Sequence, residues 1–300
     1  MKFFFKLFIY ISLVYLIFHL YQNNYLIIPE VQSFVLLVFS IFFMLIGFLL
    51  NAKAWQCLLK ASNKEVTYSE SISSIGLSIF GKYMPGKFWV IVGRAAYVAE
   101  KKGDSIFRIT TISFLGQGIA ITTGIILGNI VLWYYMISWF WVLFFIEILF
   151  LIFILCPFSK LLPEKSYFYK KGGSIILLLG PHLFRAIPWF LLFWISWGIG
   201  FYGFVGALSI TNTWIVAPIF ILSSTLGILA FFVPGGIGVR EGFLSFFLIK
   251  CGYSLEIATT IAVGSRLWFL LGEIFVFICG LIISNVQGFS KKNKKSYSEN

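Results

Sequence analysis

Two segments of the sequence combine Pro-Gly pairs with nearby basic side chains. The first contains Pro85-Gly86, and the second contains Pro234-Gly235-Gly236 followed by Gly238. Proline ends a helix because it lacks a backbone donor, and glycine permits left-handed turns and close backbone approach. Within or beside the first segment lie three cations: Lys82, Lys87 and Arg94. Three cations beside helix N-termini are suited to binding a phosphate group.

Charged residues also occur at the second Pro-Gly segment and in the apolar stretch after it. Arg240 and Glu241 follow the second segment, and Arg266 and Glu273 lie further on, seven residues apart. Ionisable groups at membrane depth face a cavity or a partner. They could bind a substrate or form structural pairs, such as Glu241 with Arg266 or Arg240 with a carboxylate such as Glu273. The sequence leaves both roles open.

Motifs for covalent catalysis are absent from the sequence. The chain contains a single aspartate, Asp104, so a DxD metal site is excluded, and it has no HExxH, GxSxG or P-loop motif. The four cysteines form no CxxC pair. We therefore expect no catalytic residue, no metal and no cofactor.

The composition determines the class of protein in which these residues lie. Of the 300 residues, 60% are hydrophobic and only 11% are charged, whereas soluble proteins carry about 25% charged residues. Apolar blocks of 18 or more residues are long enough to cross a hydrocarbon core of about 30 Å. This pattern predicts an all-α, polytopic membrane protein and excludes a soluble enzyme, a secreted disulfide scaffold and a disordered chain.

Hydropathy predicts about six full spans and two interrupted stretches. The Pro-Gly segments fall in the interrupted stretches, about 69–93 and 214–251. The full spans are predicted at about 3–20, 32–50, 109–132, 136–156, 184–208 and 257–283. Glycines in the third and fifth of these spans predict close helix packing. We expect the chain to divide into a membrane domain over 1–285 and a basic, disordered cytoplasmic tail over 286–300. Within the membrane domain, the region 160–183 is predicted to lie at the membrane interface.

The distribution of basic residues predicts the orientation. Of the 23 Lys and Arg residues, 20 fall in the N-terminus, 51–108, 157–185 and the tail. By the positive-inside rule, both termini face the cytoplasm. The number of full spans then requires each interrupted stretch to enter and leave on the same side of the membrane. This is the inner side for 69–93 and the outer side for 214–251. Paired, Pro/Gly-interrupted segments of this kind indicate an inverted repeat with a transport site between broken helices. The alternative is that each Pro-Gly pair is an ordinary loop between spans.

The two motifs resemble those of the lysylphosphatidylglycerol synthase transmembrane-domain family. The similar stretches are 81–87 with Val92-Gly93-Arg94, then 234–242 with the later Arg266, and the resemblance covers about 40–283. It implies a flippase-like domain that moves lipids with modified headgroups. The aminoacyl-transferase domain of the two-part enzymes is not present here, so we expect no lysyl transfer. Lys87 stands where the second motif has Gly236, so the two halves differ chemically.

These observations predict a lipid translocase of a prokaryotic inner membrane. It would move a phospholipid or polyprenyl-linked lipid with an anionic or modified headgroup. Lys82, Lys87 and Arg94 would contact the headgroup from inside, and Arg240, Glu241, Arg266 and Glu273 would hold it nearer the outer side. Two alternatives remain: a membrane scaffold for a cell-envelope glycosyltransferase or lipid-modifying enzyme, and a small-anion transporter. Membrane lipids are the expected partners, and no patch is typical of nucleic-acid binding.

Overall fold

All regular elements in the described part of the chain are helices. The computed structural model describes residues 30–60, 65–84, 88–135, 145, 174–208, 213–230 and 233–298. The helices are α1 (Phe34–Leu59), α2 (Tyr68–Ser78), α3 (Phe88–Lys102), α4 (Ile106–Tyr135), α5 (Ser174–Ala207), α6 (Val216–Leu229), α7 (Val239–Lys250) and α8 (Leu255–Ser298), with short 3-10 helices at Ile79–Tyr83 and Pro234–Gly236.

Four of the described helices are long and apolar enough to cross a membrane. They contain the stretches Phe34–Leu59, Ile106–Val131, Arg185–Ala207 and Leu255–Gln287. These correspond to four of the predicted spans and confirm a multi-pass, all-helical membrane protein. The predicted spans 3–20 and 136–156 lie outside the described residues, except for Phe145, so the total of six spans stays a prediction.

Three helices extend well beyond their predicted limits. Helix α1 continues to Leu59, nine residues past the predicted end at about 50. The segment from 174 to 183, predicted to be interfacial, forms the first part of α5 and is continuous with the span that follows. The polar segment after 285, for which the sequence predicts a disordered tail, continues α8 to Ser298. The junction in α8 contains no proline at which the helix would end, whereas α5 continues through Pro181 and Pro188. The division into a domain over 1–285 and a tail stays a prediction.

The two interrupted stretches each form a pair of short helices on either side of a break. Helices α2 and α3 have 11 and 15 residues, and α6 and α7 have 14 and 12. Each is shorter than the ~20 residues that a membrane-spanning helix needs. Such lengths agree with helices that cross only part of the bilayer, whereas the re-entrant path itself stays a prediction.

Local chemistry determines where these short helices begin and end. Thr67 and Glu70 form a capping box at the start of α2, which satisfies two otherwise unpaired donors. At the start of α7, the amide of Gly238 donates to Glu241 Oε2 at 2.7 Å. Between α6 and α7, Gly235 and Gly236 have φ of 59° and 68°. The backbone therefore turns left-handed at the Pro-Gly segment, a conformation that favours glycine.

Small residues bring the helices into close contact. Helix α5 packs along α1, where Gly200 lies against the backbone of Ser40 and Met44. Helix α4 packs on α6, where Gly128 contacts Leu222. Helix α2 packs on α8, because Gly76 leaves room for the backbone of that helix. Without a hydrophobic force between helices in lipid, such close approach is a principal source of association.

The two breaks meet near the middle of the bundle. The 3-10 helix Ile79–Tyr83 contacts the 3-10 helix Pro234–Gly236. A Cβ added to Gly235 would lie 2.7 Å from the ring of Tyr83, so only glycine allows this approach. The interrupted stretches therefore converge on one place, as the paired motifs predict.

Candidate functional site

A cavity of about 400 Å³ lies beside the two breaks. Helices from both interrupted stretches line it, together with parts of α1, α4, α5 and α8. Five of the predicted site residues contribute to its wall: the cations Lys82, Arg94, Arg240 and Arg266, and Gly235 of the second break. No carboxylate is among the described residues that line it. The wall of the cavity is therefore cationic.

Lys82 is paired with a carboxylate behind the cavity wall. Its Nζ forms a salt bridge with Oε1 of Glu273, whose side chain is only 2% exposed. The hydroxyl of Tyr83 donates to Glu273 Oε2 at 2.9 Å. Glu273 therefore holds the end of the first broken helix against α8. It was predicted to contact substrate, and the structure places it at this junction, outside the described cavity wall.

Arg266 links the second break to α7. Its Nη1 lies 3.5 Å from Oε1 of Glu241, which confirms the pairing considered from the sequence. Nη1 and Nη2 also donate to the carbonyl oxygen of Gly235 at 3.2 and 3.3 Å. Both charged groups are buried. The pair Glu241–Arg266 thus holds the Pro-Gly turn in place while the arginine lines the cavity.

Arg240 is buried without an acidic partner among the described residues. Its Nη2 donates to Ser265 Oγ at 3.2 Å, and its guanidinium lies over the rings of Phe220 and Phe269, at 5.0 and 5.3 Å from their centroids. Its Nε has no hydrogen-bond partner in the part of the chain that the structure describes. Neutral groups therefore position this cation, and at least one donor remains unused.

Arg94 has a similar environment on the other side of the breaks. Its Nε donates to Ser113 Oγ, and its Nη2 donates to the Ser113 carbonyl oxygen at 2.7 Å. The guanidinium stacks over Trp55, 4.8 Å from the ring centroid. No salt bridge to Arg94 occurs among the described residues. A rigid, neutral framework therefore holds this second cation.

The charges of this site do not cancel. Glu241 and Glu273 form salt bridges with Arg266 and Lys82. No salt bridge to Arg94 or Arg240 occurs among the described residues, although the same two carboxylates also attract Arg240 at longer range. A charge at the centre of a bilayer costs at least about 2.5–3.5 kcal/mol on insertion scales. Two positive charges held by neutral groups therefore favour the entry of an anion.

The cavity also has polar and aromatic walls that sequence reasoning missed. The uncharged polar side chains are Asn51, Ser78, Gln117 and Ser224. The aromatic wall consists of Phe48, Phe190, Phe193, Trp194, Trp197 and Phe269. An isolated amide in an apolar span, such as Gln117, was the sequence feature that could have indicated a polar cavity wall. Aromatic residues are too abundant in this chain for their positions to be informative.

Some predicted residues cannot be placed. Pro85, Gly86 and Lys87 lie outside the described residues, between Met84 and the start of α3. Pro234, Gly235, Gly236 and Gly238 form the second break as predicted, with the three glycines at positive φ. Within the described part of the chain, no group of three His, Cys, Asp or Glu residues could hold a metal ion.

Comparison with known proteins identifies the family. No curated protein and no solved structure matches the chain. The family model described as "Lysylphosphatidylglycerol synthase TM region" matches residues 3–280, which is most of the chain and includes both breaks and all four cavity cations. This match confirms the resemblance noted from the motifs: the chain belongs to the lysylphosphatidylglycerol synthase TM region family.

Proposed function

We propose that the protein is a lipid translocase that moves a lipid with an anionic headgroup across the inner membrane. The observation that carries the proposal is a cavity between two helix breaks, lined by four cations and by no described carboxylate. Planar arginine donors bind phosphate groups well, because two parallel hydrogen bonds match the phosphate oxygens. In this proposal the chain binds and moves lipid and catalyses no covalent step.

The cations fall into two groups along the proposed path. Arg94 lies on α3, and if the orientation predicted from the basic residues holds, it would receive a headgroup from the cytoplasmic side together with Lys82. Lys87 would join them there. Arg240 and Arg266 would hold the headgroup nearer the outer side. Glu241 and Glu273 are assigned here to holding cations, since both contact cations and neither lines the described cavity.

Apolar residues at the edge of the cavity favour a lipid over a small soluble anion. Phe114 on α4 and Leu229 on α6 line the cavity and are 46% and 49% exposed. In a membrane, large exposed apolar side chains face lipid tails. A headgroup could therefore enter from the side while its acyl chains stay in the bilayer. A path for a small anion requires no apolar mouth of this kind.

The direct test is lipid movement by the purified protein. The protein is reconstituted into liposomes that contain a trace of tail-labelled fluorescent phosphatidylglycerol, and dithionite is added outside. We expect labelled lipid of the inner leaflet to move to the outer leaflet, where dithionite bleaches it, in protein-containing liposomes and to stay protected in empty ones. A scaffold subunit would leave the inner label protected. A small-anion transporter would release trapped radioactive phosphate, which a lipid translocase would retain.

A matched pair of variants connects this activity with the cavity. Arg240→Gln removes a cavity cation, and Lys250→Gln removes an exposed cation from the other end of the same helix. We expect Arg240→Gln to slow lipid movement and Lys250→Gln to leave it unchanged. Equal rates for both variants and the wild type would contradict a role for the cavity.

A further inference from the structure

Four uncharged polar side chains line the same cavity as the cations. One of them, Ser78, donates to the Ser74 carbonyl oxygen at 2.8 Å, and the other three differ from it. Asn51 lies on α1, Gln117 on α4 and Ser224 on α6. None of the three has a side-chain hydrogen bond to another described residue, and the hydroxyl oxygen of Ser224 is buried. Unpaired polar groups are costly in a protein interior, so they normally contact water or a ligand.

Polar side chains next to Asn51 and Gln117 on the same helices have partners within the bundle. Gln56, one turn after Asn51 on α1, donates to the Val66 carbonyl oxygen at 3.0 Å and accepts from Lys53 at 2.9 Å. Ser113, one turn before Gln117 on α4, donates to the Ile91 carbonyl oxygen at 3.1 Å. The packing of the helices therefore satisfies their neighbours and leaves Asn51 and Gln117 directed at the cavity.

The cavity thus offers two kinds of contact. The cations donate hydrogen bonds and carry positive charge, which suits a phosphate. An amide both donates and accepts, as does a serine hydroxyl, which suits a hydroxyl group. An ammonium group would meet four cations and no described carboxylate in the wall. Like-charge contacts of this kind lower the binding affinity.

We propose that the lipid is a phosphodiester whose group beyond the phosphate is an uncharged polyol, a glycerol or a sugar-like ring. This inference rests on the proposed lipid translocation and specifies its substrate. Arg94 and Arg240 bind the phosphate, and Asn51, Gln117 and Ser224 bind the hydroxyl groups. The site therefore rejects headgroups to which an amino acid or another cationic group has been added.

The size of the cavity agrees with a headgroup as the occupant. Its volume of about 400 Å³ lies in the range of ~300–1,000 Å³ that small-molecule sites occupy. That space accommodates a phosphate with a glycerol or one ring. It does not accommodate a whole lipid with two acyl chains, which remain in the bilayer beyond Phe114 and Leu229.

The test compares headgroups in the liposome assay with the same tail label. The four lipids are phosphatidylglycerol, phosphatidylinositol, phosphatidic acid and lysine-esterified phosphatidylglycerol. Phosphatidic acid retains the phosphate and lacks the polyol, and the lysine ester adds positive charge. We expect the two polyol lipids to move about three- to tenfold faster than phosphatidic acid, the effect of about one net hydrogen bond. The lysine ester should move at least about tenfold more slowly than phosphatidylglycerol. The faster of the two polyol lipids shows whether the hydroxyls come from glycerol or from a ring.

Gln117→Met tests the amide itself while keeping the length of the side chain. We expect it to slow phosphatidylglycerol about three- to tenfold and to leave phosphatidic acid unchanged, so the second lipid reports correct folding. The control, Gln32→Met, removes an exposed amide outside the described cavity wall and should change neither rate. Equal movement of polyol lipids and phosphatidic acid, or fast movement of the lysine ester, would overturn the substrate assignment and leave lipid translocation standing. Failure to move any of the four lipids would overturn both.

Discussion

The glycines of the second break give a graded test of the broken-helix structure. Gly236 has φ of 68°, and a Cβ added there would lie 2.7 Å from the carbonyl oxygen of Gly227. Gly238 has φ of 82°, and its added Cβ would contact nothing within 4 Å. Gly242 lies inside α7 with an open surrounding space and no positive φ. Alanine at Gly236 therefore tests a backbone clash together with conformational strain, and alanine at Gly238 tests strain alone. Alanine at Gly242 introduces neither and serves as the control.

The structure sets the magnitude of each effect. A left-handed conformation costs a residue with a side chain roughly 1–2 kcal/mol, so Gly238→Ala should lose about that much stability. At Gly236 the same strain adds to a contact about 0.7 Å closer than the 3.4 Å at which ordinary contact begins. Overpacking of this kind costs roughly 1–3 kcal/mol, which gives a total of about 2–5 kcal/mol. Gly242→Ala should gain about 0.5–1 kcal/mol, because alanine favours a helix interior.

The assay is the unfolding midpoint of each purified variant in detergent, followed by intrinsic tryptophan fluorescence. For a chain of this size, 1 kcal/mol corresponds to about 2 °C. We expect Gly236→Ala to melt about 4–10 °C below the wild type, Gly238→Ala about 2–4 °C below it, and Gly242→Ala at or slightly above it. Equal losses at Gly236 and Gly238, or a wild-type midpoint for Gly236→Ala, would refute the close approach of the break to Gly227.

Two other predictions concern the charged residues beside the cavity. Glu273→Gln should destabilise the protein by about 3 kcal/mol, because it leaves Lys82 as a largely buried, unpaired cation. The double variant Glu273→Gln/Lys82→Met should recover part of that loss. If the two substitutions lower the melting temperature in a purely additive way, the pairing is contradicted. Arg240→Lys should reduce the rate of lipid movement about ten- to hundredfold, since losing one charge-assisted hydrogen bond costs roughly 1.5–3 kcal/mol. The melting temperature should change little. An unchanged rate with a lowered melting temperature would make Arg240 a structural residue.

Features that depend on local sequence were predictable. Hydropathy located the four described long helices, because an apolar stretch of sufficient length is a property of consecutive residues. Pro234 with its glycines located the second break for the same reason. Charges within apolar stretches are costly wherever they lie, so Lys82, Arg94, Arg240 and Arg266 could be selected as site residues before their surroundings were known.

Contacts between distant segments could not be predicted in the same way. The salt bridge Lys82–Glu273 joins residues that are 191 positions apart, and Arg94 contacts a serine of α4 that no motif distinguishes. The same limit applies to Asn51 and Gln117, whose direction towards the cavity depends on the rotation of α1 and α4 in the bundle. Helix α2 is rich in serine and has little hydropathy signal. Three of its serines, Ser73, Ser74 and Ser78, donate to carbonyl oxygens of the same helix.

Native mass spectrometry tests most directly whether the cavity binds an anionic headgroup. The protein is released from micelles that contain equimolar phosphatidylglycerol and phosphatidylcholine, and the bound lipid is identified from the mass of the complex. The account predicts a phosphatidylglycerol adduct on the wild type that is lost in Arg240→Gln and retained in Lys250→Gln. Equal binding of the two lipids, or an adduct that persists in Arg240→Gln, would contradict it.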